Sequence, residues 1–197
     1  MRVAIIAVLL AACGGSAPQV RYYQLAVQTP VTPSTGDKVL VVEALSSDAA
    51  YDDERIVYRH SPYQLDYYNY HRWSATPGAL VGGYLEQALG RSGDFKAVVR
   101  EQVSDASLVL GGRITALEEV DNDPKHWVGR IALELTLTDP KTGEIVWTQR
   151  FEENEPLEQQ NPEGLARALS TALQRIANQA APLIVERANK PAAQAQK

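Results

Sequence analysis

The chain holds 197 residues, of which 45% are hydrophobic and 22% charged, so its length and composition fit one globular domain and exclude a mainly disordered chain. A formal net charge of −5 excludes an ordinary polyanion binder, because nucleic-acid affinity rests on Lys and Arg neutralising phosphates. One cysteine and three histidines exclude an internal disulfide and a multi-cysteine metal site and leave little for zinc chemistry.

At the N-terminus, Arg2 precedes an unbroken apolar run from Val3 to Ala12 that stops at Cys13. The run is too short to span a bilayer, which takes ~20 residues, but suits the apolar region of a secretory signal, which takes ~7–15. Leu10-Ala11-Ala12-Cys13 resembles the bacterial lipobox. That resemblance implies a diacylglyceryl group on the Cys13 thiol, cleavage before it and N-acylation of the new terminus. The plainer alternative is a secretory signal followed by a chance cysteine. Removing residues 1–12 takes Arg2 away and leaves 185 residues with a net charge of −6. Gly14 rather than Asp follows the cysteine, which by resemblance points to the periplasmic face of the outer membrane.

After a small, polar stretch from Gly14 to Val20, Tyr22-Tyr23-Gln24-Leu25 is expected as a short strand. Pro30, Pro33, Ser34 and Gly36 mark a loop. Lys38 to Glu43 is a β-branched run, the pattern of a doubly covered strand. Ser46 to Glu54 reads as a loop. Ile56 to Arg59 and Gln64 to Tyr70 are expected as the arms of a hairpin that turns at His60-Ser61-Pro62-Tyr63. Thr76-Pro77 predicts a helix start with Thr as cap and Pro in the first turn. Leu80, Val81, Tyr84, Leu85, Ala88 and Leu89 form its apolar face, and Gly90 and Gly93 suit its end. Gly82-Gly83 inside this helix is read as close packing.

Phe95 to Val99 is a further short strand. Leu108 to Val120 is a long one, with a bulge expected at Gly111-Gly112. After the turn at Asp121-Asn122-Asp123-Pro124, Ile131, Leu133, Leu135 and Leu137 alternate with Ala132, Glu134, Thr136 and Thr138, which predicts a strand with one buried face. Asp139 to Gly143 turns it into a partner carrying Ile145, Trp147 and Phe151. Asn161-Pro162 opens the last helix, with Leu165, Leu169, Leu173 and Ile176 as its stripe, and Pro182 is expected to kink or end it. The predicted organisation is a signal peptide (1–12), a lipidated N-terminus with short strand and linker (13–37), one domain (38–187) and a flexible tail (188–197). Its fold class is α+β, a mostly antiparallel sheet with two helices packed on one face.

Enzyme signatures are absent: the sequence holds no H-E-x-x-H, G-x-S-x-G or P-loop. His60, His71 and His126 are scattered in polar settings with no partner indicated. Glu118-Glu119, Asp121, Asp123 and Glu152-Glu153-Glu155 read as solvated turns at strand ends; a weak divalent-ion site at Asp121-Asn122-Asp123 is the alternative there, although the loop lacks the EF-hand pattern. The anomaly is aromatic. Tyr51, Tyr58, Tyr63, Tyr67, Tyr68 and Tyr70 crowd together with Arg55, Arg59, Arg72 and Trp73 among them, and these residue types are enriched at protein interfaces. Tyr67 and Tyr68 must face opposite sides of a strand, so one face packs inward while the other is open to a partner. The alternative is that the tyrosines only cover the sheet and the first helix.

The run Arg55 to Arg59, Leu65 to Trp73 and Thr76-Pro77, with the lipobox, Tyr22-Tyr23-Gln24-Leu25 and Gly143-Glu144-Ile145-Val146-Trp147, resembles the ABC-type transport auxiliary lipoproteins, the PqiC-like group. The resemblance implies a fold similar to the N-terminal domain of TolB and a non-catalytic outer-membrane lipoprotein. It implies no cofactor beyond the covalent lipid on Cys13. Its implied partners are the membrane, an MCE-domain protein that bridges the periplasm, an inner-membrane transporter component and, in a homo-oligomeric ring, further copies of the chain. The implied job is docking for intermembrane lipid transport that supports envelope integrity. Tyr58, Arg59, Tyr67, Tyr68, Arg72 and Trp73 are the residues that carry over as candidate partner contacts, with Cys13 as the lipidated position. Alternatives are a direct periplasmic lipid carrier, with Leu80, Leu85, Leu169 and Leu173 lining a cavity, or a regulator of another envelope machine such as peptidoglycan synthesis or secretin assembly.

Overall fold

A computed structural model describes residues 18–190. The signal segment, Cys13 and residues 191–197 of the expected tail lie outside the described residues. In chain order the elements are β1 (Arg21–Tyr23), β2 (Val39–Val42), β3 (Ser46–Ser47), a 3-10 turn (Ala49–Tyr51), β4 (Arg55–Ser61), β5 (Gln64–Trp73) and α1 (Pro77–Ser92). There follow β6 (Ala97–Val99), β7 (Leu108–Val120), β8 (Val128–Thr138), β9 (Ile145–Pro156) and α2 (Pro162–Asn189).

Strand β7 is the hub of a mixed sheet. Along one edge it pairs antiparallel with β8, which pairs antiparallel with β9. Along the other edge β2, β3 and β4 follow one another end to end, each parallel to β7. They act as one interrupted strand, and the Ala49–Tyr51 turn sits in the gap that sequence marked only as loop. Beyond them β6 lies parallel to β2, β5 antiparallel to β4, and β1 parallel to β5. The long ladders are the antiparallel ones, as expected; the short strands attach in parallel. The class is α+β, with both helices over one face.

Local chemistry explains most elements. On β8, Ile131, Leu133, Leu135 and Leu137 are buried toward the helices while Arg130, Glu134 and Thr136 stay partly exposed on the other face. The α1 face holds as predicted, except that Leu80 is only half-buried. Gly82 packs where a Cβ would stand 2.7 Å from the Glu43 carbonyl oxygen, so the helix approaches the sheet edge as closely as its backbone allows. Gly93 closes α1 in the left-handed conformation, φ 83°. On α2, the Asn161 side chain accepts a hydrogen bond from the Gly164 N–H at 2.8 Å.

Several expectations are corrected. Thr76 precedes α1, but its side chain makes no capping bond; its carbonyl instead accepts from Leu80 N–H at 2.9 Å. The β7 bulge falls between Ile114 and Ala116, not at Gly111-Gly112. Pro182 does not end α2, which continues to Asn189, beyond the expected domain end at 187. The carbonyl deprived of its N–H donor belongs to Asn178, an exposed residue, and the apolar stripe runs on through buried Ala180 and Ile184. Residues 26–36 have no regular secondary structure, as the loop reading has it. They lie as a strap over the helices: Ala26 N–H donates to Ser170 Oγ at 3.1 Å, Thr32 N–H to the Arg91 carbonyl at 2.9 Å, and Arg91 Nη1 to the Thr29 carbonyl at 2.9 Å.

Candidate functional site: the aromatic hairpin and two buried carboxylates

The β4–β5 hairpin forms where expected, with its turn at Pro62-Tyr63. Its alternation sends Tyr67 and Tyr68 to opposite sides, and both are engaged. Tyr67 faces the 3-10 turn, donating to the Ala50 carbonyl at 3.1 Å, and the Arg55 guanidinium stands 4.3 Å from the centre of its ring. Tyr68 faces the helix side, where its hydroxyl donates to Glu119 Oε1 at 2.8 Å and its ring meets Tyr58 and His71. Tyr58 also lies edge-on to His60. Tyr23 on β1 closes the row, 2.8 Å from His71 Nδ1; burial, helped by the charge of Arg21, holds the His71 imidazole below its usual range.

The main departure from the sequence reading is at Glu118 and Glu119. The sequence pattern reads them as a solvated turn at a strand end; both are 0% exposed, near the end of β7. Neighbours far along the chain decide this. Glu118 accepts from Arg59 Nε at 3.0 Å, from Arg130 Nη1 at 2.9 Å and from the Tyr51 hydroxyl at 2.6 Å. Arg130 also reaches Glu152 at 2.8 Å, and Arg59 reaches the Pro62 carbonyl at the hairpin turn at 3.1 Å. A charge removed from water is tolerable only when its lone pairs are met in this way. Burial and then the Glu118 carboxylate push the Tyr51 phenol up to about 12.

Glu119 is less well served. Tyr68 donates to one oxygen, and the other is buried with no hydrogen-bond partner among the described residues. Burial pushes its carboxyl up to about 7. Asp121 Oδ1 lies 2.7 Å from His60 Nδ1, out of hydrogen-bond alignment. Asp123 pairs locally with His126 at 2.6 Å. The carboxylates of this turn therefore face different partners, and no metal-ligand group of three forms among the described residues. The Glu152-Glu153-Glu155 run is also no turn: it lies on β9, where Glu153 and Glu155 pair with Arg175 of α2 at 2.8 and 2.7 Å.

Residues 23–181 match the family described as the ABC-type transport auxiliary lipoprotein component. The chain belongs to that family. Among solved structures, the auxiliary lipoprotein is similar to a Xanthomonas campestris protein of family DUF330, with TM-score 0.70 and 18% identity, over 86% of this chain and 96% of that one. A hypothetical protein of Chlamydia trachomatis shares the fold at TM-score 0.53 and 7% identity, over 79% and 99%. TolB from Acinetobacter baumannii is matched over 85% of this chain and 31% of its own, with TM-score 0.36 and 9% identity. No curated protein matches the chain.

Of the six candidate contact residues in the auxiliary lipoprotein, Trp73 is 1% exposed and belongs to the core. Arg59, Tyr67 and Tyr68 hold the internal contacts above. Tyr58 and Arg72 are partly exposed, Arg72 standing opposite Arg55 in the hairpin register. Sequence reasoning missed Glu118, Glu119 and Arg130. A signal existed: Glu118 and Arg130 sit at mirror positions about the Asp121–Trp127 turn, where opposite charges across an antiparallel pair attract. The residues proposed for a lipid cavity, Leu85, Leu169 and Leu173, are fully buried in one continuous apolar cluster, and Leu80 packs against its rim.

Proposed function

We propose that this chain is the lipid-anchored docking subunit of an MCE/ABC-type intermembrane lipid transport system and works without catalysis. The observation that carries the reading is the lipobox at Leu10 to Cys13 standing directly ahead of a body that belongs to the auxiliary lipoproteins from residue 23. Gly14 after the cysteine favours the periplasmic face of the outer membrane. There the body meets the distal end of a periplasm-spanning MCE-domain protein, itself served by an inner-membrane component, and copies of the chain assemble as a ring. Two or more acyl chains give stable anchoring where one gives marginal binding. Confinement to a thin layer then raises the effective concentration of partners, so a modest interface suffices.

The internal engagement of Arg59, Tyr67 and Tyr68 supports this division of labour: they stiffen the hairpin and leave recognition to its outward surfaces. Crosslinking in the native envelope tests the reading, with capture of an MCE-domain protein expected. A deletion strain with unchanged sensitivity to membrane-active agents, together with no MCE capture, rejects it.

A further inference from the structure

Seven large apolar or aromatic side chains are exposed among the described residues, and four of them cluster by position: Val20 (41%), Tyr22 (63%), Tyr63 (98%) and Tyr70 (46%). The remaining tyrosines are buried or half-buried. Tyr22 stands on β1, whose outer edge pairs with no strand among the described residues, and Val20 directly precedes β1. Tyr22 is in register with Arg72, and continuing that register sets Val20 beside Tyr70. Tyr63 forms the tip of the β4–β5 hairpin.

Direction and length connect this cluster to the N-terminus. Strand β1 is parallel to β5, so going backward along β1 leads toward the hairpin tip. Eight residues separate Cys13 from Arg21, and eight separate Tyr63 from His71, the register partner of Arg21. Eight residues reach at most ~29 Å by any path, and eight residues of strand span ~26 Å. Chain length alone thus lets a group attached at position 13 reach the level of the tip but little beyond it. The charge here is mixed: Arg21 is exposed and Arg72 partly so, β1 carries no acidic residue, and exposed Asp66 stands on β5 near the tip.

We propose that the free edge of β1 and the tip of the β4–β5 hairpin form the lipid-facing surface of this protein, with Val20, Tyr22, Tyr63 and Tyr70 resting in the interfacial zone of the bilayer. The inference rests on lipidation of Cys13. Tyrosine suits that zone because its ring is apolar while its hydroxyl stays wet. The acyl chains supply attachment, and the aromatic edge sets which way the body is turned.

The test uses the full-length lipidated protein in phosphatidylcholine vesicles containing brominated lipid. Tyr63→Trp and Tyr70→Trp are compared with Ile145→Trp, at the far end of the sheet, and Val103→Trp, after subtracting the signal of the native tryptophans. Roughly threefold stronger quenching at 63 and 70 than at 145 and 103 is expected for rings at headgroup level. Equal quenching at all four sites overturns the proposal. So does protection of 63 and 70 from aqueous iodide without lipid quenching, which would assign the surface to a second copy. An intact mass showing an unmodified Cys13 overturns the lipoprotein reading instead. The surface is then judged by the same measurement on protein coupled through that thiol, the only one in the chain, to a maleimide phospholipid.

Discussion

Glu119 is the residue whose environment departs furthest from its sequence appearance. Burial raises its carboxyl to about 7, above the ordinary 4.5 of a glutamate in water, so the folded state holds a proton that the unfolded state releases. The resulting stability is full below about pH 4.5 and is lost as pH rises through 7. A shift of this size corresponds to at most about 3 kcal/mol at 1.36 kcal/mol per unit. Thermal denaturation from pH 5 to 8 is therefore expected to show a falling melting temperature in the native chain. Glu119→Gln keeps an acceptor for Tyr68 and carries no charge, so it flattens that fall and is the more stable protein at pH 8. Parallel pH profiles for the two proteins would show that the carboxylate is ordinary. Glu118, its neighbour in sequence, points to the opposite face of β7, where Arg59, Arg130 and Tyr51 all donate to it.

Among the elements, the β7–β8 ladder holds the sheet together, and its tightest point is Gly112. The residue has φ 150°, and a Cβ there would stand 2.1 Å from the Glu134 carbonyl oxygen. Backbone is what it would meet, so nothing flexible can yield. Gly112→Ala is expected to cost roughly 3 kcal/mol, in the range of severe single substitutions, and to lower the urea midpoint with little change of slope. Gly143→Ala is the instructive contrast: its φ of 73° adds strain, but a Cβ there meets nothing within 4 Å, so its loss is smaller. Equal losses at both glycines would mean that the ladder tolerates the displacement. The bulge at Ile114–Ala116 belongs to the same element, and it lets β7 bend between its contacts to β3 and β4.

For the whole molecule the interaction that the proposed function depends on lies between the body and a membrane. Among the described residues no helix is long and apolar enough to cross one. Under the proposed lipidation of Cys13, attachment would rest on the acyl chains, at ~0.8 kcal/mol for each buried CH₂. The net charge, −5 for the whole chain and −6 if residues 1–12 are removed as proposed, works against binding to anionic lipid by charge alone. Cys13→Ser is expected to move the protein from the membrane pellet to the soluble fraction and to abolish labelling by an alkyne fatty acid. The native chain stays in the pellet in high salt, which screens charge but not hydrocarbon burial. Release of the native chain by salt would put the attachment in charge contacts.

The order of the main elements, the β4–β5 hairpin, the cap at Asn161-Pro162 and the one-sided alternation of β8 were all legible in the sequence, because period, turn chemistry and capping act over a few residues. The three short strands queued in parallel along β7 were not. A parallel pairing is closed by residues far apart in the chain and leaves no local turn to read. Burial of Glu118 and Glu119 was equally hidden, since nothing near them in sequence reveals that Arg59, Tyr51 and Tyr68 arrive from the other strands. The tyrosine-rich run announced itself by composition, yet only the sheet decided that Tyr67 and Tyr68 turn inward while Tyr22, Tyr63 and Tyr70 remain outside. A side chain's exposure is set by what packs over it, and that is a property of the assembled fold.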